Sequence, residues 1–229
     1  MEENEVLEEN KGCWLFDVCN HIDCKGFCLR RFKLDCLYNE ALVSMKQRTR
    51  VPLRLDADKL DKDNFDYLAS IERNIEKFVS DGGSLYIYSS TTGNGKTSWA
   101  LRMIQAYLNR IWYDSELRCR ALFINVPRYL LALKDNISER SDYVSHIKAN
   151  ALDADLVVWD EVGTKGLTQF EHENILNIIN ARIDLGKANI YTSNLSDEEL
   201  HMAVGDRLYS RIAILSDGIE LLGSDKRAL

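Results

Sequence analysis

A strand-like apolar run that passes directly into a glycine-containing loop and then a helix constrains the fold of this chain most. The run is Leu85-Tyr86-Ile87-Tyr88, and the loop is Ser89-Ser90-Thr91-Thr92-Gly93-Asn94-Gly95-Lys96-Thr97. Glycines let such a loop curl until successive backbone N–H groups point at one anion. The following helix directs the positive end of its dipole to the same place. This order predicts a P-loop, the phosphate cradle of many nucleotide-binding proteins.

The parts of this loop have separate expected roles. The ammonium of Lys96 is expected to reach the β- and γ-phosphates, and the hydroxyl of Thr97 to ligate Mg²⁺. Ser90 stands where the usual pattern has its first glycine, and serine is small enough for that turn. A chance glycine-rich turn is the alternative, which the flanking strand and helix patterns disfavour. The residues expected to contact the nucleotide are Thr92, Gly93, Asn94, Gly95, Lys96, Thr97 and Ser98.

A second apolar strand ends in two adjacent carboxylates. Leu156-Val157-Val158-Trp159 is followed by Asp160 and Glu161. We expect this strand to lie beside the P-loop strand, so that Asp160 holds Mg²⁺ and Glu161 acts as the general base on the attacking water. Acidic pairs after strands also cap helices, so the prediction of nucleotide hydrolysis depends on both motifs together.

Two further polar motifs follow. Asn194 lies just after the strand-like run Asn189–Thr192. There it is expected to sense the γ-phosphate, to cap the helix that begins near Ser196, or to do both. Arg207 and Arg211 are four residues apart and share a helix face. They are either an arginine finger with its support or an ordinary solvated, salt-bridged pair.

The apolar runs alternate with helix-like segments, which indicates an α/β fold with a parallel sheet flanked by helices. Further strands are predicted at Leu122–Val126 and, broken near Gly218, within Ile212–Leu222. Helices are predicted over Leu29–Lys46 and from Ser98 to about Tyr113. A third helical face is carried by Phe65, Leu68, Ile71, Ile75 and Phe78.

Cysteines crowd the first 36 residues, and Cys119 stands apart beside a predicted strand, where we expect it to pack. In a reducing compartment such a cluster favours a metal over disulfides, and a region this short often needs a structural ion. Ordinary buried thiols and an iron–sulfur cluster are the alternatives. The expected zinc ligands are Cys13, Cys19, Cys24 and Cys28, with His21 and Cys36 as alternative ligands.

The size and charge of the chain limit the classes of protein to which it can belong. At 229 residues it can hold one substantial domain and a small appendage. It has no apolar run long enough to cross a bilayer, and its N-terminus is acidic, so we expect a cytoplasmic protein without a membrane partner. Because the net charge is −7, we expect any DNA to bind along a local track of basic residues and not over the whole protein surface. The candidates for that track are Arg128, Lys134, Arg140 and Lys148, and ordinary solvated helix surface is the favoured alternative for each of them.

With these residues assembled, the chain resembles the DnaC/DnaI-type replicative helicase loaders, especially those of phages and prophages. These belong to the AAA+ class of P-loop ATPases. The resemblance covers nearly the whole length. The matching stretches are Tyr86-Ile87-Tyr88-Ser89, Gly93-Asn94-Gly95-Lys96-Thr97, Phe123-Ile124-Asn125-Val126-Pro127, Trp159-Asp160-Glu161, Thr192-Ser193-Asn194 and Asp206-Arg207-Leu208-Tyr209-Ser210-Arg211.

The resemblance implies a zinc-binding, Cys-rich helical head and linker at residues 1–54 and a lidless AAA+ core at residues 55–229. It implies that ATP is bound with Mg²⁺, that Asn194 is the sensor-1 residue, and that Arg211 is a finger acting in trans with Arg207 supporting it. It further implies that the head grips the replicative helicase, while the core forms a homo-oligomer and contacts single-stranded DNA.

Four other functions compete with a loader. A transposition ATPase of the IstB type shares the core motifs but usually lacks a Cys-rich head. A small-molecule kinase needs an Arg-rich lid, which we do not find, and a GTPase needs an Asn-Lys-x-Asp tetrad, which the chain lacks. An adaptor with an inactive site is disfavoured by intact Lys96, Asp160 and Glu161.

Overall fold

The computed structural model describes residues 13–15, 19, 27–48, 60–136, 139–164 and 166–225. Two of the predicted or alternative zinc ligands, Cys24 and His21, lie outside these ranges, as does the predicted boundary between residues 54 and 55. No helix within the described ranges is both long and apolar enough to span a bilayer.

Five parallel strands form one sheet, as the alternation of apolar runs predicts. In chain order they are β1 Ser84–Tyr88, β2 Ala121–Asn125, β3 Leu156–Asp160, β4 Ala188–Ser193 and β5 Asp217–Glu220. Their order across the sheet is β2-β3-β4-β1-β5. Strands β3 and β4 are buried along their whole length, because helices cover both faces of the sheet.

The expected neighbour of the P-loop strand was wrong. Strand β3, which carries the two carboxylates, does not lie beside β1, because β4 is inserted between them. Tyr191 of β4 pairs with Tyr86 on one side and with Trp159 on the other. Apolar runs identify strands but do not specify which strands hydrogen-bond, so the order had to come from the structure. The insertion places the end of β4 between the two halves of the predicted site.

Helices precede, separate and follow the strands. In chain order they are α1 Leu29–Glu40, α2 Met45–Arg48, α3 Lys62–Arg73, α4 Ile75–Ser80, α5 Lys96–Ile111, α6 Val126–Asp135, α7 Asp142–Asn150, α8 Gln169–Asp184 and α9 Asp197–Tyr209. A 3₁₀ turn spans Trp112–Asp114, and a π-helical turn spans Ser210–Ile214.

Three predicted elements differ from the structure. The helix predicted over Leu29–Lys46 ends at Glu40, because Leu42 adopts a left-handed conformation with φ of 60° before the chain re-enters a helix. The single face from Phe65 to Phe78 is divided between α3 and α4 at Asn74, whose side chain bonds back to Ser70. The strand predicted within Ile212–Leu222 is only β5, because the residues before Leu215 continue the helical turn.

The sheet separates two hydrophobic cores. On β1, Leu85 and Ile87 face the first core, which α1, α3, α4 and α5 cover. Tyr86 faces the second core, which α6 to α9 cover. Helix α1 therefore packs on the same layer as the helix that follows the P-loop, with Leu34 and Leu37 fully buried. The division at residues 54 and 55 stays a prediction.

Candidate nucleotide-binding site

The P-loop joins β1 to α5 as predicted. Two glycines need their conformational freedom, because φ is +73° at Gly93 and +110° at Gly95. Ser90, which replaces the usual first glycine, has a negative φ, so a side chain is accommodated there without strain. The backbone of the loop therefore retains the curled conformation that a phosphate cradle requires.

The ammonium of Lys96 lies within the curl of the loop. Its Nζ donates to the carbonyl oxygen of Thr91 at 2.6 Å and to that of Ser89 at 3.3 Å. It also donates to Oδ1 of Asn94 at 3.1 Å. The side chain is buried, and these three acceptors hold its charge at the centre of the loop. Lys96 thus stands where the sequence places it for phosphate binding.

The side chain of Asn94 braces the loop from inside the protein. Its Nδ2 donates to Oγ of Ser89 at 2.7 Å and to the carbonyl oxygen of Leu221 at 2.9 Å. Since this amide is almost completely buried, only the backbone N–H of Asn94 remains for the contact with nucleotide that the sequence predicts. The brace also ties the loop to the segment that follows β5.

That segment crosses the P-loop. The Asp61 carboxylate accepts hydrogen bonds from the N–H groups of Leu222 at 2.7 Å and Gly223 at 2.8 Å. Two residues later, the carboxylate of Asp225 lies against Gly93 so closely that a Cβ on that glycine would overlap it. A negative charge therefore lies on the loop that is built to attract phosphates.

We expect the charge of Asp225 to compete with the nucleotide. Asp225→Asn should tighten ATP binding about two- to fivefold, the range typical of one exposed charge–charge contact. Titration calorimetry at low salt measures this, with Asp184→Asn at the exposed end of α8 as the matched control. Equal or weaker binding by Asp225→Asn would contradict the competition.

Asp160 meets the P-loop helix although β4 intervenes. Its Oδ1 accepts hydrogen bonds from Oγ1 of Thr97 at 2.8 Å and from Oγ1 of Thr192 at 2.7 Å. Burial raises the pKa of Asp160, the two threonine hydroxyls oppose that shift, and the neighbouring charge of Glu161 adds to it. A cation bound here would offset the cost of the buried charge, so the predicted pairing of Thr97 and Asp160 fits Mg²⁺.

Glu161 is held in a strained conformation by two side chains that the sequence reasoning did not assign to the site. Its φ is +63°, which is uncommon for a residue with a side chain. Its N–H donates to Oγ1 of Thr192 at 3.0 Å, and its Oε2 accepts from Nδ2 of Asn125 at 3.1 Å. Both partners are polar residues at the carboxyl end of apolar strands, the edge where parallel sheets bind ligands.

Asn194 follows β4 directly, next to the start of the P-loop, because the N–H of Ser89 donates to the carbonyl oxygen of Ser193 at 3.2 Å. The alternative role for Asn194 as a helix cap was wrong. The N-cap of α9 is Ser196, which forms a reciprocal capping box with Glu199. The role of Asn194 as a sensor stays a prediction.

Arg207, near the end of α9, and Arg211, in the π-helical turn that follows, line one groove. Nε of Arg211 donates to Oδ1 of Asn180 on α8 at 2.7 Å. The groove measures about 460 Å³, and its lining is Leu176, Asn180, Asp206, Arg207, Ser210 and Arg211. None of these residues belongs to the P-loop or to the Asp160–Glu161 pair, so the groove is not part of the chain's own phosphate site.

A comparison with known families decides the class of this site. Residues 56–217 match the family described as IstB-like ATP binding protein, which is more than half of the chain. The chain belongs to this family. No individual curated protein matches it.

The IstB-like fold is shared with solved structures of replication proteins. The structure of DnaI has a TM-score of 0.59 at 18% identity, with 80% of this chain and 94% of that chain covered. The DnaC helicase loader gives 0.58 at 20% identity, with 73% and 93% covered. The replication initiator DnaA bound to AMPPCP and single-stranded DNA gives 0.53 at 19% identity, with 70% and 46% covered. These similarities confirm the predicted α/β fold of the core.

This IstB-like protein is therefore an ATPase. The curled backbone at Gly93 and Gly95 and the central charge of Lys96 fit the phosphates of ATP. Thr97 and Asp160 would hold Mg²⁺, which neutralises charge on the phosphate oxygens when bound.

The predicted zinc site of the head stays untested, because one of its four cysteines lies outside the described residues. Cys13, Cys19, Cys28 and Cys36 are free thiols, and Cys24 lies outside the described ranges. Cys28 Sγ accepts from the N–H of Arg31 at 3.4 Å and so caps α1. Cys119 is buried, as predicted for a packed thiol.

Proposed function

We propose that this IstB-like ATPase is a helicase loader, which binds the replicative DNA helicase and helps place it on single-stranded DNA when replication begins. The observation that carries this proposal is the extent of the shared fold. The match covers 93% of the solved chain of the DnaC helicase loader and 94% of the solved chain of DnaI, so the likeness includes nearly all of each solved chain. DnaA, bound to single-stranded DNA in its structure, supports a role on DNA through the same fold.

The residues of the site divide the chemistry of ATP hydrolysis between them. Lys96 binds the phosphates, and Asn194 contacts the γ-phosphate or the attacking water. The carboxylate of Glu161 takes the proton of that water as its oxygen attacks the γ-phosphorus and the bond to the leaving ADP oxygen breaks. Asn125 orients Glu161, and Thr192 fixes the backbone between the two carboxylates.

Assembly is proposed to complete the site. Arg211 and Arg207 lie in a groove apart from the chain's own P-loop, so we assign them to the phosphate site of a neighbouring copy in a homo-oligomer. For single-stranded DNA, Arg128, Arg140 and Lys148 are exposed. Lys134 is also exposed but pairs with Glu171 at 3.1 Å, so it is the weakest member of the predicted track.

The head presents an apolar patch that suits contact with a helicase. Phe27, Leu29 and Phe32 are 76%, 53% and 47% exposed, and the two phenylalanine rings lie 5.6 Å apart. Exposed aromatic clusters of this kind mark protein interfaces. Point variants are a better test than removal of the first 54 residues, because Leu34 and Leu37 are part of the first core.

We expect the double variant Phe27→Ser, Phe32→Ser to bind ATP normally and to lose the host's replicative helicase on co-purification. Leu131→Ser, which changes an equally exposed apolar residue on α6, is the matched control and should retain the helicase. Retention by the double variant would exclude the patch as the contact.

A transposition ATPase is the second candidate, because the family that matches residues 56–217 is named for IstB. If the chain is a transposition ATPase, we expect the wild-type chain to bind a transposase and not the helicase, with or without ATP. Co-purification of the wild-type chain with each partner therefore separates the two functions.

A further inference from the structure

Three metal-ligating side chains from distant parts of the chain meet where α1 packs on the core. Glu40 ends α1, Cys119 precedes β2, and His146 lies in α7. One ligand atom of each lies within 4.8 Å of the other two, and no other trio of this kind occurs in the described ranges. We propose that Glu40, Cys119 and His146 bind a divalent ion of the zinc class, at a site separate from the ATP site and from the predicted zinc cysteines of the head.

The chemistry of the ligands selects the ion. A thiolate, an imidazole and a carboxylate together are typical of zinc, whereas Mg²⁺ and Ca²⁺ take oxygen ligands almost exclusively. Three protein ligands leave the fourth corner of a tetrahedron for water or for a partner's side chain. Ligand atoms around tetrahedral zinc lie roughly 3–4 Å apart. The trio therefore needs only small shifts to close on an ion.

The present hydrogen bonds show where the donor atoms point. Nε2 of His146 lies 2.8 Å from the backbone carbonyl oxygen of Glu40 and 3.9 Å from Oε2 of the same residue. Sγ of Cys119 lies 3.4 Å from that same carbonyl oxygen and 3.3 Å from the carbonyl oxygen of Ala121. Both donors thus converge on the C-terminal end of α1, where helix carbonyls lack helical partners. A metal would take the sulfur and nitrogen lone pairs with release of the thiol proton and a shift of the imidazole proton to Nδ1.

The side chain of Asn150 lies near Nδ1 of His146, the ring nitrogen that would carry the shifted proton. Nδ1 of His146 lies 3.5 Å from Nδ2 of Asn150, one helical turn further along α7. The same Nδ2 donates to the carbonyl oxygen of His146 at 2.9 Å, and an amide flip that turned its oxygen to Nδ1–H would replace that bond. Metal-bound histidines almost always donate their second ring N–H to such an acceptor, which fixes the tautomer and the ring.

An ion can reach the three side chains from solvent. Cys119 is only 7% exposed, but Glu40 and His146 are half-buried and reachable from solvent. Glu40 and Cys119 border a cleft of about 610 Å³. The cleft also contains Arg120 and Lys187, which both pair with Asp155, at 2.5 and 3.2 Å. Asp155 alone offsets one of these two positive charges, and Asp153, which also borders the cleft, supplies a second carboxylate. A bound ion would fasten α1 to the core.

The full-length protein, stripped of metal, provides the test. We expect wild type to take up one more Zn²⁺ than Glu40→Gln, Cys119→Ser or His146→Gln at matched free zinc, and Zn²⁺ to raise its melting temperature. Co²⁺ should give a thiolate charge-transfer band that Cys119→Ser weakens. His172→Gln, which changes a half-buried histidine of α8, is the control that keeps this extra ion.

Glu40→Gln is the decisive variant, because the hydrogen-bonded cap uses the backbone carbonyl of Glu40 and not its carboxylate. If the trio binds metal, Glu40→Gln should weaken this zinc site by at least about tenfold. If Cys119 and His146 serve only as a helix cap, zinc uptake by Glu40→Gln and by His146→Gln will equal that of wild type, and the proposal is wrong. ATP binding should be unchanged in either case, so the result is independent of the proposed loader function.

Discussion

Replacing Arg211 by alanine is expected to lower ATP turnover by about 10³- to 10⁵-fold in the assembled protein while ATP binding persists. The guanidinium lies in a groove with Asn180 and Arg207, a position that suits its proposed role at the site of a neighbouring copy. Single-turnover hydrolysis and calorimetry measure the two effects separately. Arg73→Ala, an exposed arginine on α3, is the matched control.

A mixing experiment distinguishes action in trans from action within one chain. Arg211→Ala supplies an intact phosphate site, and Lys96→Ala supplies an intact finger. If the finger acts on a neighbour, equimolar mixing should restore part of the activity that each variant lacks alone. No recovery, together with proof that the two variants co-assemble, would exclude the assignment in trans.

Glu161→Gln is expected to lower hydrolysis by about 10²- to 10⁴-fold without weakening ATP binding, because it removes the proposed general base and leaves the P-loop and Lys96 unchanged. Glutamine keeps the shape of the side chain and an oxygen that can accept from Asn125. Burst and steady-state phosphate release measure the loss, and Glu173→Gln on the exposed side of α8 is the control. Turnover close to that of wild type would assign the base to another group.

The local parts of the site were predictable from the sequence. The P-loop and the strand that ends in Asp160 are contiguous patterns, and their meeting follows from the parallel α/β alternation. The structure places Thr97 against Asp160 accordingly. The same reasoning gave the types of most elements, because apolar periodicity differs between strands and helices.

The rest depends on contacts that no local pattern encodes. Strand order is set by crossover packing, so the insertion of β4 between β1 and β3 was not visible in the runs themselves. Thr192 and Asn125 are single polar residues at strand ends, which look like ordinary turn or cap residues. The approach of Asp225 to Gly93 joins two parts of the chain far apart in sequence.

The double hydrogen bonding of Asn125 has a mechanical consequence. One end of its amide holds the carboxylate of Glu161, and the other end accepts the N–H of Arg128 in the first turn of α6. Arg128 is exposed and stacks on Tyr143, with 4.4 Å from its guanidinium carbon to the ring centroid. A polyanion that drew Arg128 outwards would displace the start of α6 and shift the shared amide that orients Glu161, so occupancy of that surface and the rate of phosphate cleavage would be coupled.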